Sequence, residues 1–480
     1  MSIARFGVHI TEGPQHWAII QQREGFGTIA VKGFWSKKSG AGAIESVNAR
    51  VYARVVREDE GGMIVPWQPC SMSGEEKWSA VLSGIPAGGL YRVETCLMLF
   101  AEQQMELATR GDMIHHIGVG DIWVIAGQSN AAGYGRGPVS DPPEPGIHLL
   151  RHSGRWDMAT HPFNESTESV QPLNGEPVNP GHSPYLAFAR LVKKETGIPI
   201  GLLQTALGGS PLERWNPDEI GDLYRNMMTV IESAGGRVKG VLWYQGCSDC
   251  DAGHAGTYLE RFTRVVQHWR DDLGDAELPV LTVQLNRYAA YADGEEGNRC
   301  WGIVREAQRT AAAQIPNVFV VPALDCPLSD TIHNSPAGNL VIGERSARAA
   351  LAGIYGKPMA YRAPSVKEAK FGPDPADGKK TVRLTFTDVA GELFAIGPRE
   401  LVFSIEDRNG IMPISSWRIA GKDRIELELP RTAEGRTVVH GAYEANPAAL
   451  LPIDTVTQMP MLAFYGLRVE QSQPGEYSAE

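Results

Sequence analysis

Between Asp121 and about residue 354 the chain alternates five short apolar runs with five amphipathic stretches, and this alternation constrains the fold more than any other feature. The runs are Ile122 to Ala126, Ile198 to Gln204, Val238 to Tyr244, Leu278 to Leu285 and Val318 to Val321. The stretches at 184–196, 217–234, 256–272, 300–314 and 335–354 carry apolar residues at helical spacing. Strands that are apolar on both faces and separated by helices predict a parallel sheet covered on each side, because both faces must leave water. Ser183-Pro184 supplies a cap with proline at the first helical position, and Gly197 stands where that helix must stop.

The flanks read differently. Residues 1–117 hold short Val/Ile/Tyr/Trp-rich segments, among them Thr28 to Trp35, Val51 to Arg57 and Tyr91 to Phe100, punctuated by Gly, Pro and Ser. That pattern predicts an immunoglobulin-like or related β-sandwich. Period-2 alternation returns in Thr381 to Phe386, Leu401 to Ile405, Ser416 to Ile419 and Arg424 to Leu429, so a second β domain is expected over 358–480, with a frayed acidic tail after Glu470. At 480 residues the chain exceeds what one core organises, and three domains are expected: 1–117, 118–357 and 358–480. No internal repeat of fixed period is present.

Composition removes several function classes. A formal charge of −11 without a basic block argues against nucleic-acid or anionic-membrane partners. No apolar run approaches the roughly 18 residues of a membrane span. Six cysteines are too few for a disulfide scaffold, and MSIARFGVHITEGPQHW is not patterned as a signal peptide, so a cytoplasmic location is expected unless a leader has been trimmed.

In open α/β sheets, ligands gather at the carboxyl ends of the strands. Four of the five ends, or the loops beyond them, carry chemically useful groups: Gly127-Gln128-Ser129-Asn130, then Gly208-Gly209-Ser210, then Gln245-Gly246-Cys247-Ser248-Asp249, and finally Asp330 to His333. A serine hydroxyl becomes a nucleophile only when a base takes its proton, and that base needs a partner to hold its tautomer. Ser129, His333 and Asp330 meet those needs as nucleophile, base and orienting carboxylate. The N–H groups of Ser129 and Gly209 and the Gln245 side chain are candidate oxyanion donors, each worth about 2.7–4 kcal/mol in the transition state.

Other motifs are weaker. Cys247, Cys250 and His254 have a Cys-x2-Cys-x3-His spacing compatible with zinc, against which stand a disulfide or redox pair and, ahead of both, two plain loop cysteines. Gly133-Tyr134-Gly135-Arg136-Gly137 lacks the G-x-G-x-x-G spacing of a dinucleotide fold, and the G-x-S-x-G elbow of α/β-hydrolases is absent.

The strand-end blocks, with Gly120-Asp121-Ile122-Trp123, Trp215 and Trp243-Tyr244 around them, resemble the SGNH-type hydrolases, and most closely the sialate O-acetylesterase group of carbohydrate esterases. The likeness continues through Trp269-Arg270, Leu278-Pro279, Gln284-Leu285, Trp301 and Arg305 to Gln308, covering roughly residues 86–356. It implies an SGNH-like three-layer α/β domain with a parallel sheet, flanked by N- and C-terminal β-sandwich-like domains. It further implies a serine esterase that removes O-acetyl groups from a sugar or glycan without metal or organic cofactor. By motif, Ser129, His333 and Asp330 are catalytic, and Ser129, Gly209 and Gln245 form the oxyanion hole. Gln128, Asn130, Arg214 and Trp215 are expected to contact substrate, with Trp243, Tyr244 and His254 as further wall candidates. Cys247 departs from the pattern, which has glutamate there. An acetylated sialic acid would favour an arginine in the cleft, for which Arg136 and Arg214 are the candidates, whereas a neutral glycan needs none. A carbohydrate-binding protein without turnover, on a degenerate esterase core, is the alternative.

Overall fold

The computed structural model describes residues 6–39, 42–43, 48–74, 76–176, 180–290, 294–372, 381–397, 400–448 and 450–471. The tail expected to fray after Glu470 lies almost wholly outside them.

The N-terminal strands follow from side-chain alternation. In Phe26–Ser36, Ile29 and Val31 are buried while Thr28, Ala30 and Lys32 face water. That strand joins Gly7–Glu12, Lys77–Pro86 and Ser71–Ser73 in a four-stranded sheet. A second antiparallel layer contains Asn48–Arg57, Met63–Pro69, Leu90–Ala101 and the first part of Gln104–Gly127. Val8, Ile29, Val31 and Leu82 from one layer meet Val51, Val55, Val93 and Leu97 from the other, which makes a sandwich.

Gln104–Gly127 is a single 24-residue strand that serves two sheets. Up to Gly118 it pairs antiparallel with Leu90–Ala101. From Asp121 it pairs parallel with Ile200–Gln204, and from Trp123 also with Gly240–Tyr244. Its sequence changes accordingly, from mixed polarity to the fully buried run Ile122 to Ala126. The change of pattern at Asp121 is thus a change of partners within one strand.

In the central sheet the order is Trp156–Met158, Ile147–Leu150, Ile200–Gln204, residues 121–127, Gly240–Tyr244, Val280–Val283 and Val318–Val321. Every neighbouring pair is parallel except the first. Six helices accompany it: α1 (Ser129–Ala132), α2 (Tyr185–Thr196), α3 (Asp222–Ser233), α4 (Tyr258–Leu273), α5 (Gly294–Gln314) and α6 (Pro336–Gly353). Helix α2 packs on α6, and α4 on α5. Proline 184 caps α2 one position later than the sequence suggests, and Gly197 ends the helix at φ 73° with its N–H on the Lys193 carbonyl. The strands at 147–150 and 156–158 were not anticipated, because they are short and His148 interrupts the apolar run.

Residues 365–470 supply an eight-stranded sheet around a separate apolar core that includes Val382, Leu384, Ile405, Ile425, Val439 and Phe464. The whole is an SGNH-like α/β core flanked by β-sandwich-like domains. Arg305 of α5 fastens the core to the C-terminal part. Its guanidinium is fully buried and donates to the carbonyls of Leu285, Asn286, Tyr443, Glu444 and Ala445. Among the described residues, no helix is long and apolar enough to cross a membrane.

Candidate active site

The central strand connects onward to Ile147–Leu150 on one side, whereas its neighbour Gly240–Tyr244 connects to Val280–Val283 on the other, a topological switch point where loops diverge and leave a crevice. Ser129 stands there as the first residue of α1. Gly127, at φ 124°, makes the turn possible: a Cβ at that position would lie 2.3 Å from the Tyr244 carbonyl oxygen. The chain can pass that close to the neighbouring strand only as glycine.

Ser129, His333 and Asp330 form one hydrogen-bonded line. Ser129 Oγ lies 2.9 Å from His333 Nε2, and His333 Nδ1 lies 2.7 Å from Asp330 Oδ2. The other Asp330 oxygen accepts the N–H groups of Ile332 and His333 at 2.9 and 2.7 Å. Burial works to raise the Asp330 pKa, but these N–H groups and the imidazole outweigh it and hold the carboxyl below its ordinary value. An ionised Asp330 keeps the proton on His333 Nδ1 and leaves Nε2 to accept from the serine. Tyr134 packs its ring 4.9 Å from the imidazole.

Oxyanion donors are less complete than the sequence suggests. Ser129 and Gly209 both line the cleft, and neither backbone N–H has a hydrogen-bond partner among the described residues. Gly209 has φ 66°, in the left-handed region, which turns the 208–210 segment beside Ser129. Gln245 is placed differently from the expectation. It is fully buried, its Nε2 donates to Asp249 Oδ2 at 2.5 Å and to the Ser210 carbonyl at 3.2 Å, and its Oε1 accepts from Tyr258. With both amide hydrogens engaged, it supports the 208–210 turn from behind.

The expected substrate contacts also divide. Gln128 lines the cleft, although its Oε1 accepts the Gly246 N–H. Asn130 is buried. Its Oδ1 accepts the Asn334 N–H and its Nδ2 donates to the Ile332 carbonyl, so it staples the serine turn to the histidine loop and is not a substrate contact. Arg214 is forked onto Asp222 at 2.6–3.2 Å and does not line the cleft. Trp215, Trp243 and Tyr244 are fully buried core residues, with Trp215 Nε1 on Ser210 Oγ and Trp243 edge-on to its ring. His254 lies outside the lining and pairs with Asp251.

Sequence reasoning missed Glu176, whose carboxylate accepts the Gly208 N–H and, at 3.0 Å, the Asn164 amide. It also missed Asn334, which links Asn130, Tyr244 and Asn286. Asn334 adjoins His333 in sequence and was findable; Glu176 lies in a polar loop with no local signal.

Among the described residues, Cys247, Cys250 and His254 do not bring their ligand atoms together as a shared metal would require. Cys247 and Cys250 are free thiols, and the Cys250 Sγ donates to the Gly246 carbonyl. Burial pushes the Cys247 thiol up to about 12 and the Cys250 thiol above its ordinary value. Elsewhere Asp141, His161 and His182 bring three ligand-type atoms within 4.8 Å. Their hydrogen bonds fit an anchored carboxylate better than a metal. Both Nε2 atoms face Asp141 Oδ2 at 2.8 and 3.0 Å, Arg190 takes Oδ1, and the Ser183 N–H points at His161 Nδ1, the atom a metal-bound imidazole would need protonated.

Residues 119–352 match the family "Carbohydrate esterase, sialic acid-specific acetylesterase". A probable carbohydrate esterase of Arabidopsis thaliana is 32% identical over 254 residues, which are 48% of this chain and 90% of that protein. The sialate O-acetylesterase of Homo sapiens is 22% identical over 311 residues, 55% of this chain and 57% of the relative. Among solved structures, a carbohydrate acetylesterase from Xanthomonas citri superposes with a TM-score of 0.66 at 23% identity, covering 95% of this chain and 99% of that one, a likeness of fold. The matched segment contains Ser129, Asp330 and His333, and the chain belongs to this family of carbohydrate esterases.

Proposed function

We propose that the protein is a serine O-acetylesterase acting on an acetylated sugar or glycan through an acetyl-enzyme. The observation that carries the reading is the unbroken Ser129–His333–Asp330 line at the mouth of a cleft of about 690 Å³. His333 Nε2 takes the Ser129 proton as Oγ attacks the acetyl carbonyl. The Ser129 and Gly209 N–H groups receive the oxyanion. The tetrahedral adduct collapses, the sugar oxygen leaves with the proton from His333, and the acetyl group stays on Ser129. Water, deprotonated by the same imidazole, then attacks the acyl carbon, and acetate departs as Oγ recovers its proton.

Ser129→Ala should lower acetate release from an aryl acetate by roughly 10⁴-fold or more, with circular dichroism and melting temperature unchanged. A fluorophosphonate probe should label the wild type at Ser129 and leave the variant unlabelled. Sugar binding by a wild-type protein that neither releases acetate nor takes the label would establish the non-catalytic alternative. Because the base works only when neutral, activity is expected to fall on the acid side.

A further inference from the structure

The side chains around the cleft say which sugars it accepts. Its lining includes two carboxylates, Asp251 and Glu296, with the aromatic residues Tyr134, Tyr288 and the almost fully buried Trp301. Among the described residues lining it there is no lysine or arginine. Both arginines considered for a sialate carboxylate are elsewhere: Arg214 is committed to Asp222, and Arg136 lines a separate recess with Asp141, His161 and His182.

Resting on the esterase reading above, we infer that the cleft selects uncharged O-acetylated sugars and discriminates against sugars bearing a carboxylate. A carboxylated sugar seated with its acetyl group at Ser129 would bring its charge toward Asp251 and Glu296 with no arginine or lysine of the cleft to receive it. Both carboxylates are exposed, so the repulsion is moderate and screened by salt. Asp251 contributes as an anion. Burial opposes its ionisation, but the His254 ring and the Gly253 N–H outweigh burial and lower its pKa. The net charge of −11 adds a weaker long-range repulsion. A neutral sugar meets the same groups favourably, since its hydroxyls donate to the carboxylate oxygens and its C–H faces pack on the rings. The imidazole of His254, outside the cleft lining, pairs with Asp251.

The test compares acetate release from two matched substrates, methyl galactoside and methyl galacturonide each carrying one acetyl group on the same secondary hydroxyl, which differ only in a hydroxymethyl against a carboxylate. O-acetylated sialic acid is a third substrate, and an aryl acetate is the reference. We expect kcat/KM to favour the galactoside by at least about tenfold, and the preference to shrink in 0.5 M salt. Glu296→Gln combined with Asp251→Asn should narrow the ratio, and Glu296→Lys should narrow it further. Turnover of the uronide or the sialate equal to or faster than that of the galactoside, turnover of none of the three sugars, or a ratio unmoved by the substitutions overturns the inference while aryl acetate hydrolysis persists. Loss of aryl acetate hydrolysis in the wild type counts instead against the esterase reading.

Discussion

Asn130 and Gln245 show how a residue next to a reaction centre can serve it indirectly. Each was expected at the substrate or the oxyanion, and each has its amide spent on holding a loop. Asn130→Ala would leave the buried Asn334 N–H without its acceptor, at about 1–3 kcal/mol. Since the loop it releases carries His333, kcat should fall while KM stays close to that of the wild type, as steady-state kinetics on an aryl acetate would show. Glu176 acts on the other side through the Gly208 N–H. Glu176→Gln keeps an acceptor and should retain most activity, whereas Glu176→Ala should lose it by roughly tenfold or more, part of the roughly 100-fold or greater cost of losing one oxyanion donor; equal activity in the two variants would remove the positioning role. Cys247 lines the cleft, and a thiol held protonated to about 12 is a poor nucleophile. Iodoacetamide at pH 8 is therefore expected to leave esterase activity intact.

At the scale of elements, the site depends on turns more than on helices or strands. Gly209 adopts φ 66° with nothing within 4 Å of a Cβ placed there. Gly209→Ala therefore meets no steric clash, only the backbone cost of the left-handed region, about 1–2 kcal/mol. The variant should fold, melt slightly lower and lose activity, because the turn that aims its N–H relaxes. Circular dichroism and initial rates distinguish this from misfolding. The five parallel strands and five of the six helices were legible in the sequence because double-sided burial and 3.6-residue periodicity are local signals. The strands at 147–150 and 156–158 were not, being short and interrupted by polar residues that earn their place through distant partners, as His148 does by donating Nδ1–H to the Trp17 carbonyl.

For the whole molecule, three buried histidines tie stability to pH. Burial lowers the pKa of His148, His152 and His440 to about 4 in each case. The unfolded chain, with ordinary histidines near 6.5, binds more protons between about pH 4 and 6.5. Stability is therefore full above that window and falls as pH drops through it, by at most about 1.4 kcal/mol per pH unit for each histidine. Melting temperatures taken from pH 7.5 to 5 should decline accordingly, and His148→Gln should flatten the slope. Arg305 joins two parts of the chain by carbonyl contacts alone, and burial lowers its pKa to about 10, which leaves it charged. Arg305→Ala is expected to cost on the order of 3–5 kcal/mol and to split a single calorimetric transition into two.

Local order determined what the sequence could tell by itself: the α/β core, the β flanks, the strand-end blocks and the Ser129, Asp330 and His333 set. Each of these is encoded in residues near one another in the chain, as a period, a glycine turn or a short motif. Tertiary structure alone decided which polar side chains face the cleft. Hydrogen-bond partners for Asn130, Arg214, Gln245 and Glu176 come from residues between 4 and 204 positions away, several of them buried. A buried polar group must be paired, and only the folded chain shows whether its partner is a loop to be held or a substrate to be bound.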